Sequence, residues 1–168
     1  FKSQVSFLFQ YCVCNNSPVI ERDSTLSFAT GFWKFEHEQK NGKNISAITN
    51  FEGLNIYGLS FSIDDRGIPQ LDKSMIKSDS LNIINYHVPY YWDEFSDLGF
   101  DIQLSGHTHG GQFYPLKWIS ELIFKYNIGL FYDDLNHYLH VTTGVGSMDQ
   151  PIRWGTDSGI VILKLRKN

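Results

Sequence analysis

Cysteine is almost absent: Cys12 and Cys14 are the only two among 168 residues. A bridge between residues at that spacing would be strained. Two thiolates alone do not complete a zinc site. A disulfide framework is therefore excluded, and the pair reads as reduced structural thiols, in keeping with a reducing compartment. No apolar run reaches the roughly 18 residues of a transmembrane helix. No signal-peptide pattern opens the chain, which begins at Phe1. Basic charge is scarce as well. Lys and Arg number 14 against 18 Asp and Glu, a net charge of −4, so no nucleic-acid-binding surface is expected. Internal repeats, low-complexity segments and interdomain linkers are also missing.

Aromatic side chains are plentiful, at 15% of the chain, and the length suffices for one domain with a real core. Residues 4–14 alternate, with Val5, Phe7, Phe9, Tyr11 and Val13 on one face, which predicts a strand. Residues 26–36 suggest a second strand interrupted at Gly31, and Asn41-Gly42 signals a hairpin ahead of strands at 45–51 and 54–60. Asp64-Asp65-Arg66-Gly67 reads as a solvated turn in preference to a metal-binding carboxylate pair. Asn15 and Asn44 fit a glycosylation triplet that nothing else supports. A short helix is predicted over 70–77, a buried strand over 81–86, and a helix after Pro89 that buries Trp92, Phe95 and Leu98 and stops at Gly99. Strand pattern returns at 101–104. The stretch from Pro115 to Tyr126 predicts an amphipathic helix. Its Leu116, Ile119, Leu122, Ile123 and Tyr126 read as core in preference to a membrane contact. A hairpin over 130–142 turns at Asp133-Asp134-Leu135-Asn136, carrying His137 and His140 as surface or packing histidines, and 159–165 forms the last strand.

The chemistry-bearing stretch is Leu104-Ser105-Gly106-His107-Thr108-His109-Gly110-Gly111-Gln112. If its backbone is extended, His107 and His109 point to one side, about 6.5 Å apart, and can each reach a different ion of a metal pair about 3.5–4 Å wide. The glycines allow a sharp turn and close backbone approach. His87 ends the strand 81–86. If the strands before His87 and His107 are parallel, their C-terminal ends lie together, where α/β folds place ligands.

This stretch resembles the last motif of the calcineurin-like metallophosphoesterases, and more narrowly the bacterial and archaeal branch that carries it as Leu-Ser-Gly-His-Thr-His-Gly-Gly-Gln. His87 matches that family's single histidine at the end of the preceding strand. Gly144-Val145-Gly146 and Pro151-Ile152-Arg153-Trp154-Gly155 match its C-terminal glycine segment and Pro-x-Arg. The resemblance runs from about Leu54 to Leu165. It implies an α/β fold, part of a four-layer α/β/β/α sandwich with mixed sheets, of which residues 1–168 form a single domain that is the C-terminal portion. It also implies hydrolysis of a phosphoester, most of all a phosphodiester, at a dinuclear centre. By carry-over, His87 and His107 would bind one ion and His109 the other, with Arg153 at the substrate. The two divalent ions could be Mn, Fe, Zn or Ni; ligand type does not choose among them. The resemblance further implies a cytoplasmic or peripherally membrane-associated protein, any membrane association running through a segment outside this chain.

The departure is as informative. The family's Asp-x-His, Gly-Asp-x-x-Asp and Gly-Asn-His segments are nowhere in the 168 residues. Three neutral imidazoles bring no negative charge to two divalent ions, and no matched carboxylate bridges them. The chain therefore holds about half of a catalytic site. The alternative is a family member that has lost catalysis and serves as a binding scaffold.

Overall fold

The computed structural model describes residues 53–59, 71, 73–148 and 151–165, together with the backbone of strands outside those ranges. Strands β1 (Gln4–Phe9), β2 (Leu26–Phe28), β3 (Gly31–Trp33), β4 (Ile45–Phe51) and β5 (Leu54–Leu59) come first. Then come β6 (Leu81–Tyr86), α1 (Trp92–Leu98), β7 (Ile102–Ser105), α2 (Leu116–Ile123), β8 (Gly129–Tyr132), β9 (Tyr138–Val141) and β10 (Val161–Arg166). The central sheet has six strands in the order β4-β5-β6-β7-β9-β8. Pairing is parallel across β5, β6, β7 and β9 and antiparallel at both edges. This is a mixed α/β sheet, the fold class that the sequence predicts.

The parallel centre follows from composition. Strand β6 reads Leu-Asn-Ile-Ile-Asn-Tyr, and Ile83 and Ile84, which point to opposite faces, are both fully buried. A strand covered on both faces needs apolar side chains in succession rather than in alternation. On one face Ile84 joins Tyr57, Tyr86, Val88, Phe95 and Phe100, and α1 lies over it. On the other, Ile83 joins Leu54 and Leu104, with Leu163 and Leu165 of β10 packed against them. Strand β10 pairs antiparallel with β1 in a second, two-stranded sheet. Of the two asparagines in β6, Asn82 is buried and satisfied: its amide donates to the carbonyls of Lys77 and Ser80, and its Oδ1 accepts from Asn55.

Helix α1 ends as its sequence demands, with Gly99 left-handed at φ 111°. The stretch 26–36 differs from expectation, because β2 and β3 are two antiparallel strands of a hairpin and not one interrupted strand. The helix expected over 70–77 shrinks to one 3₁₀ turn, Lys73–Met75. Residues 10–14 with both cysteines, Asn15, Asn41-Gly42, Asn44 and Asp64–Gly67 lie outside the described residues.

Helix α2 is the clearest correction. It is amphipathic, but it faces the wrong way for a core helix. Trp118, Ile119, Leu122 and Ile123 are 60, 46, 87 and 62% exposed, while the buried residue is Ser120. Ser120 donates to Asn127 Oδ1 at 3.1 Å, so the polar edge of the helix is its anchored edge. Inward packing comes only beyond the helix end, from Tyr126 against the cluster of Trp92, Leu139 and Val141 and from Phe124 against that of Tyr86 and Phe95. Among the described residues no helix is long and apolar enough to cross a membrane.

Candidate metal centre

Parallel pairing brings the C-terminal ends of β6, β7 and β9 to one edge of the sheet. His87 follows β6, His107 follows β7, and the 142–146 loop follows β9. The strand ends are cross-tied by side chains. Ser105, fully buried, donates through Oγ to the carbonyl of Tyr86 at 2.7 Å and accepts from Gln103 Nε2 at 3.0 Å. Gly106 N–H donates to the carbonyl of His87 at 2.9 Å, and Thr142 N–H to that of Ser105 at 2.9 Å. A buried polar pair inside a strand otherwise read as Ile102 and Leu104 was the available signal for this support, and sequence reasoning passed over it.

The loop 106–112 is not extended. His107, His109 and Gln112 all have positive φ, at 67°, 47° and 58°, and Thr108 between the histidines is right-handed. The histidines are therefore presented by an alternating turn, where strand geometry was expected. Left-handed non-glycine residues cost on the order of 1–3 kcal/mol each and persist only where their surroundings hold them. Here the holding groups are explicit. Thr108 Oγ1 donates to the carbonyl of Asn127 at 2.7 Å and accepts from Gly110 N–H at 3.2 Å. Gln112 clasps the neighbouring loop, its Nε2 donating to the Met148 carbonyl at 3.0 Å and its Oε1 accepting from Met148 N–H at 2.5 Å. The Gln112 carbonyl accepts from Trp154 N–H and Thr156 Oγ1. Gln112 thus binds together 106–112, 143–148 and 151–156, a role its place in the motif did not reveal.

The structure brings His87 and His107 into contact. Their rings are 5.0 Å apart and nearly perpendicular, and His107 Nδ1 lies 3.2 Å from His87 Nε2. Phe124 closes the other side of His107, ring to ring at 5.8 Å. Burial first, then the charges of His107 and His109, push the His87 pKa down to about 4. His107 is lowered by burial and by His109. His109 is lowered by burial and by the Arg153 guanidinium, against an upward pull from the carbonyls of Thr143 and Gly146. All three are held as neutral imidazoles with a lone pair to offer, the form in which histidine binds metal.

Two nitrogens bound about 2.05 Å from one ion at a tetrahedral angle stand about 3.3 Å apart. The His87–His107 spacing fits that bite; with no ion between them the same spacing is an N–H···N hydrogen bond. The donor set fits a divalent ion in part only. Among the described residues, no three His, Cys, Asp or Glu side chains form a group that could hold an ion.

Arg153 extends into the loop after β9. Its Nη2 donates to the carbonyls of Thr143 at 2.8 Å, Gly144 at 3.3 Å and Gly146, and sits 3.2 Å from His109 Nδ1. Its Nη1 has a long contact, 3.5 Å, to the Asp157 carbonyl. His137 stands apart, bound to Asp133 Oδ2 at 2.7 Å in the β8–β9 turn. His140 lies on β9 with its pKa lowered by burial.

These shifts set a pH dependence for metal-free protein. His87 is lowered in the folded state, so between about 6.5 and 4 the unfolded chain binds the proton and the folded one does not. Stability from this site is full above pH 6.5 and falls as pH drops toward 4. Urea midpoints of the chelator-treated full-length protein are expected to fall from pH 7 to pH 5, and to fall less in His87→Gln. An equal fall in both would remove His87 as the cause.

Three known proteins similar to this chain carry metallophosphoesterase names. The chain is 34% identical over 106 residues to an uncharacterized metallophosphoesterase of Campylobacter jejuni, covering 61% of this chain and 28% of that protein. It is 32% identical over 100 residues to an uncharacterized metallophosphoesterase of Helicobacter pylori, covering 58% and 27%. A Caenorhabditis elegans protein with a provisional metallophosphoesterase name is 30% identical over 118 residues, covering 66% and 24%. The matches thus span about a quarter of the length of these relatives. No protein-family model and no solved structure matches the chain.

Proposed function

We propose that this chain is the histidine-bearing C-terminal portion of a metal-dependent phosphoester hydrolase, with a phosphodiester as the preferred substrate. The observation that carries the proposal is the His87 Nε2–His107 Nδ1 pair at 3.2 Å, both rings held neutral at the C-terminal edge of a parallel sheet. Similarity to proteins named metallophosphoesterases supports the same reading. In it, His87 and His107 hold one divalent ion and His109 a second, with carboxylate ligands supplied from outside these 168 residues. When bound, such ions supply Lewis acidity toward phosphate oxygens.

The chain's own residues orient that chemistry. The Arg153 guanidinium fixes the His109 ring, its Nη2 lying 3.2 Å from His109 Nδ1 and donating to the carbonyls of Thr143 and Gly144. Arg153 spends Nη2 on the loop carbonyls and keeps Nη1 on one long contact. A planar fork can bind backbone on one side and a phosphate oxygen on the other, which a lysine cannot. We assign Arg153 to the substrate on that ground.

The full-length protein is expected to hydrolyse a chromogenic phosphodiester with Mn²⁺ and to stop in chelator, while the 168-residue chain alone shows little or no turnover. Arg153→Lys is expected to lower kcat/KM at least about tenfold. A full-length protein that binds divalent metal yet turns over no phosphoester would favour the scaffold reading.

A further inference from the structure

We propose that Phe124, with Tyr90 behind it, is a positioning residue for the ion held by His87 and His107. The inference rests on the metal reading of that pair and adds to it a residue that ligates nothing. Four rings stand in a row at the candidate site. His87 and His107 are 5.0 Å apart, His107 and Phe124 5.8 Å, and Phe124 and Tyr90 5.7 Å. The first two contacts are edge-to-face, at 83° and 74°, and the last is stacked, at 23°. Aromatic pairs favour both arrangements, so each contact resists rotation of the rings it joins.

His107 is the link that needs holding. It lies at the surface, in left-handed backbone at φ 67°. An imidazole that samples several rotamers offers Nδ1 to the His87 side only part of the time, and apparent affinity falls with that fraction. Phe124 can restrain His107 because it is itself restrained. The chain leaves α2 in extended backbone at Phe124, whose N–H donates to the Ser120 carbonyl at 2.9 Å. Leu122 and Ile123 just before it face outward, while Phe124 turns in against the cluster of Tyr86 and Phe95. Tyr90 is fixed through its backbone. Its N–H donates to the Val88 carbonyl at 2.8 Å, and its carbonyl accepts from Gln103 Nε2 at 3.0 Å. Gln103 also donates to Ser105, which ties the ends of β6 and β7 together. His87 and Tyr90 are three residues apart, so both ends of the row are carried by the segment after β6.

Calorimetric titration of the full-length protein with Mn²⁺ tests the proposal. Phe124→Leu keeps most of the apolar volume and loses the ring. It is expected to weaken one ion about three- to tenfold, the range that an aromatic contact of this geometry is worth, and to leave the second ion at wild-type affinity. Phe124→Tyr keeps the ring and is expected to bind both ions as the wild type does. Phe131→Ala removes a ring from the cluster of Trp92, Leu139 and Val141. It is expected to lower the melting temperature and leave both affinities unchanged. Wild-type affinity in Phe124→Leu would overturn the proposal and leave the metal reading standing. Equal weakening of both ions by Phe124→Leu, or a matching loss in Phe131→Ala, would also overturn it, since a residue that only packs gives that result. A wild type that binds no ion at the pair would overturn the proposal and the metal reading together.

Discussion

Gly111→Ala is expected to destabilise the full-length protein by about 3 kcal/mol or more and to abolish metal binding at the His87–His107 pair. Two effects add. Gly111 has φ +77°, where a Cβ costs roughly 1–2 kcal/mol. The new Cβ would also stand 2.3 Å from Lys117 Cα and 2.7 Å from the Leu116 carbonyl oxygen. Both are backbone atoms at the start of α2, so nothing can swing aside, and forced overpacking costs about 1–3 kcal/mol more. Gly53→Ala is the control. Gly53 has φ +84° but open space where the Cβ would go, so it bears the strain without the collision. Urea midpoints of the two variants are expected to differ by the collision alone. Equal losses would mean that the 106–112 loop is not seated against α2 as described.

His87→Ala and His107→Ala are each expected to lower the affinity for one divalent ion about a hundredfold or more, beyond the 10–100-fold typical of losing a residue that only orients a ligand. The two nitrogens are 3.2 Å apart and would share an ion. The double variant should therefore be little worse than either single one, because residues that act on one ligand are not additive. His109→Ala, whose ring sits with Arg153, is expected to change the other ion. Calorimetric titration with Mn²⁺ reads affinity and stoichiometry together. Additive losses in the double variant would place His87 and His107 on different ions.

Much of the sheet was legible in the sequence because its elements satisfy local and global demands at once. Strand β6 carries adjacent apolar residues, Ile83 and Ile84, because both faces are buried, and α1 has an apolar period and a terminal glycine because it has one buried face and a left-handed stop. The β8–β9 hairpin is announced by Asp133, whose carboxylate accepts from the N–H groups of Leu135 and His137. Helix α2 shows where such reading stops. Periodicity tells which side of a helix is apolar and is silent on what that side meets, so Leu122 could be placed on a face but not placed in solvent. The candidate site was partly legible for a related reason. His87, His107 and His109 carry their chemistry in their side chains and can be picked out. The left-handed backbone at His107 and His109, and the clasp of Gln112 on Met148, depend on segments 36 residues apart meeting in space. Gln112 looks like any other polar residue until the chain is folded.

Anomalous diffraction from crystals of the full-length protein grown with Zn²⁺ tests the central claim most directly. The account predicts a peak about 2.0–2.1 Å from both His87 Nε2 and His107 Nδ1. Metal found elsewhere in the protein, with that pair still joined nitrogen to nitrogen at 3.2 Å, would contradict it.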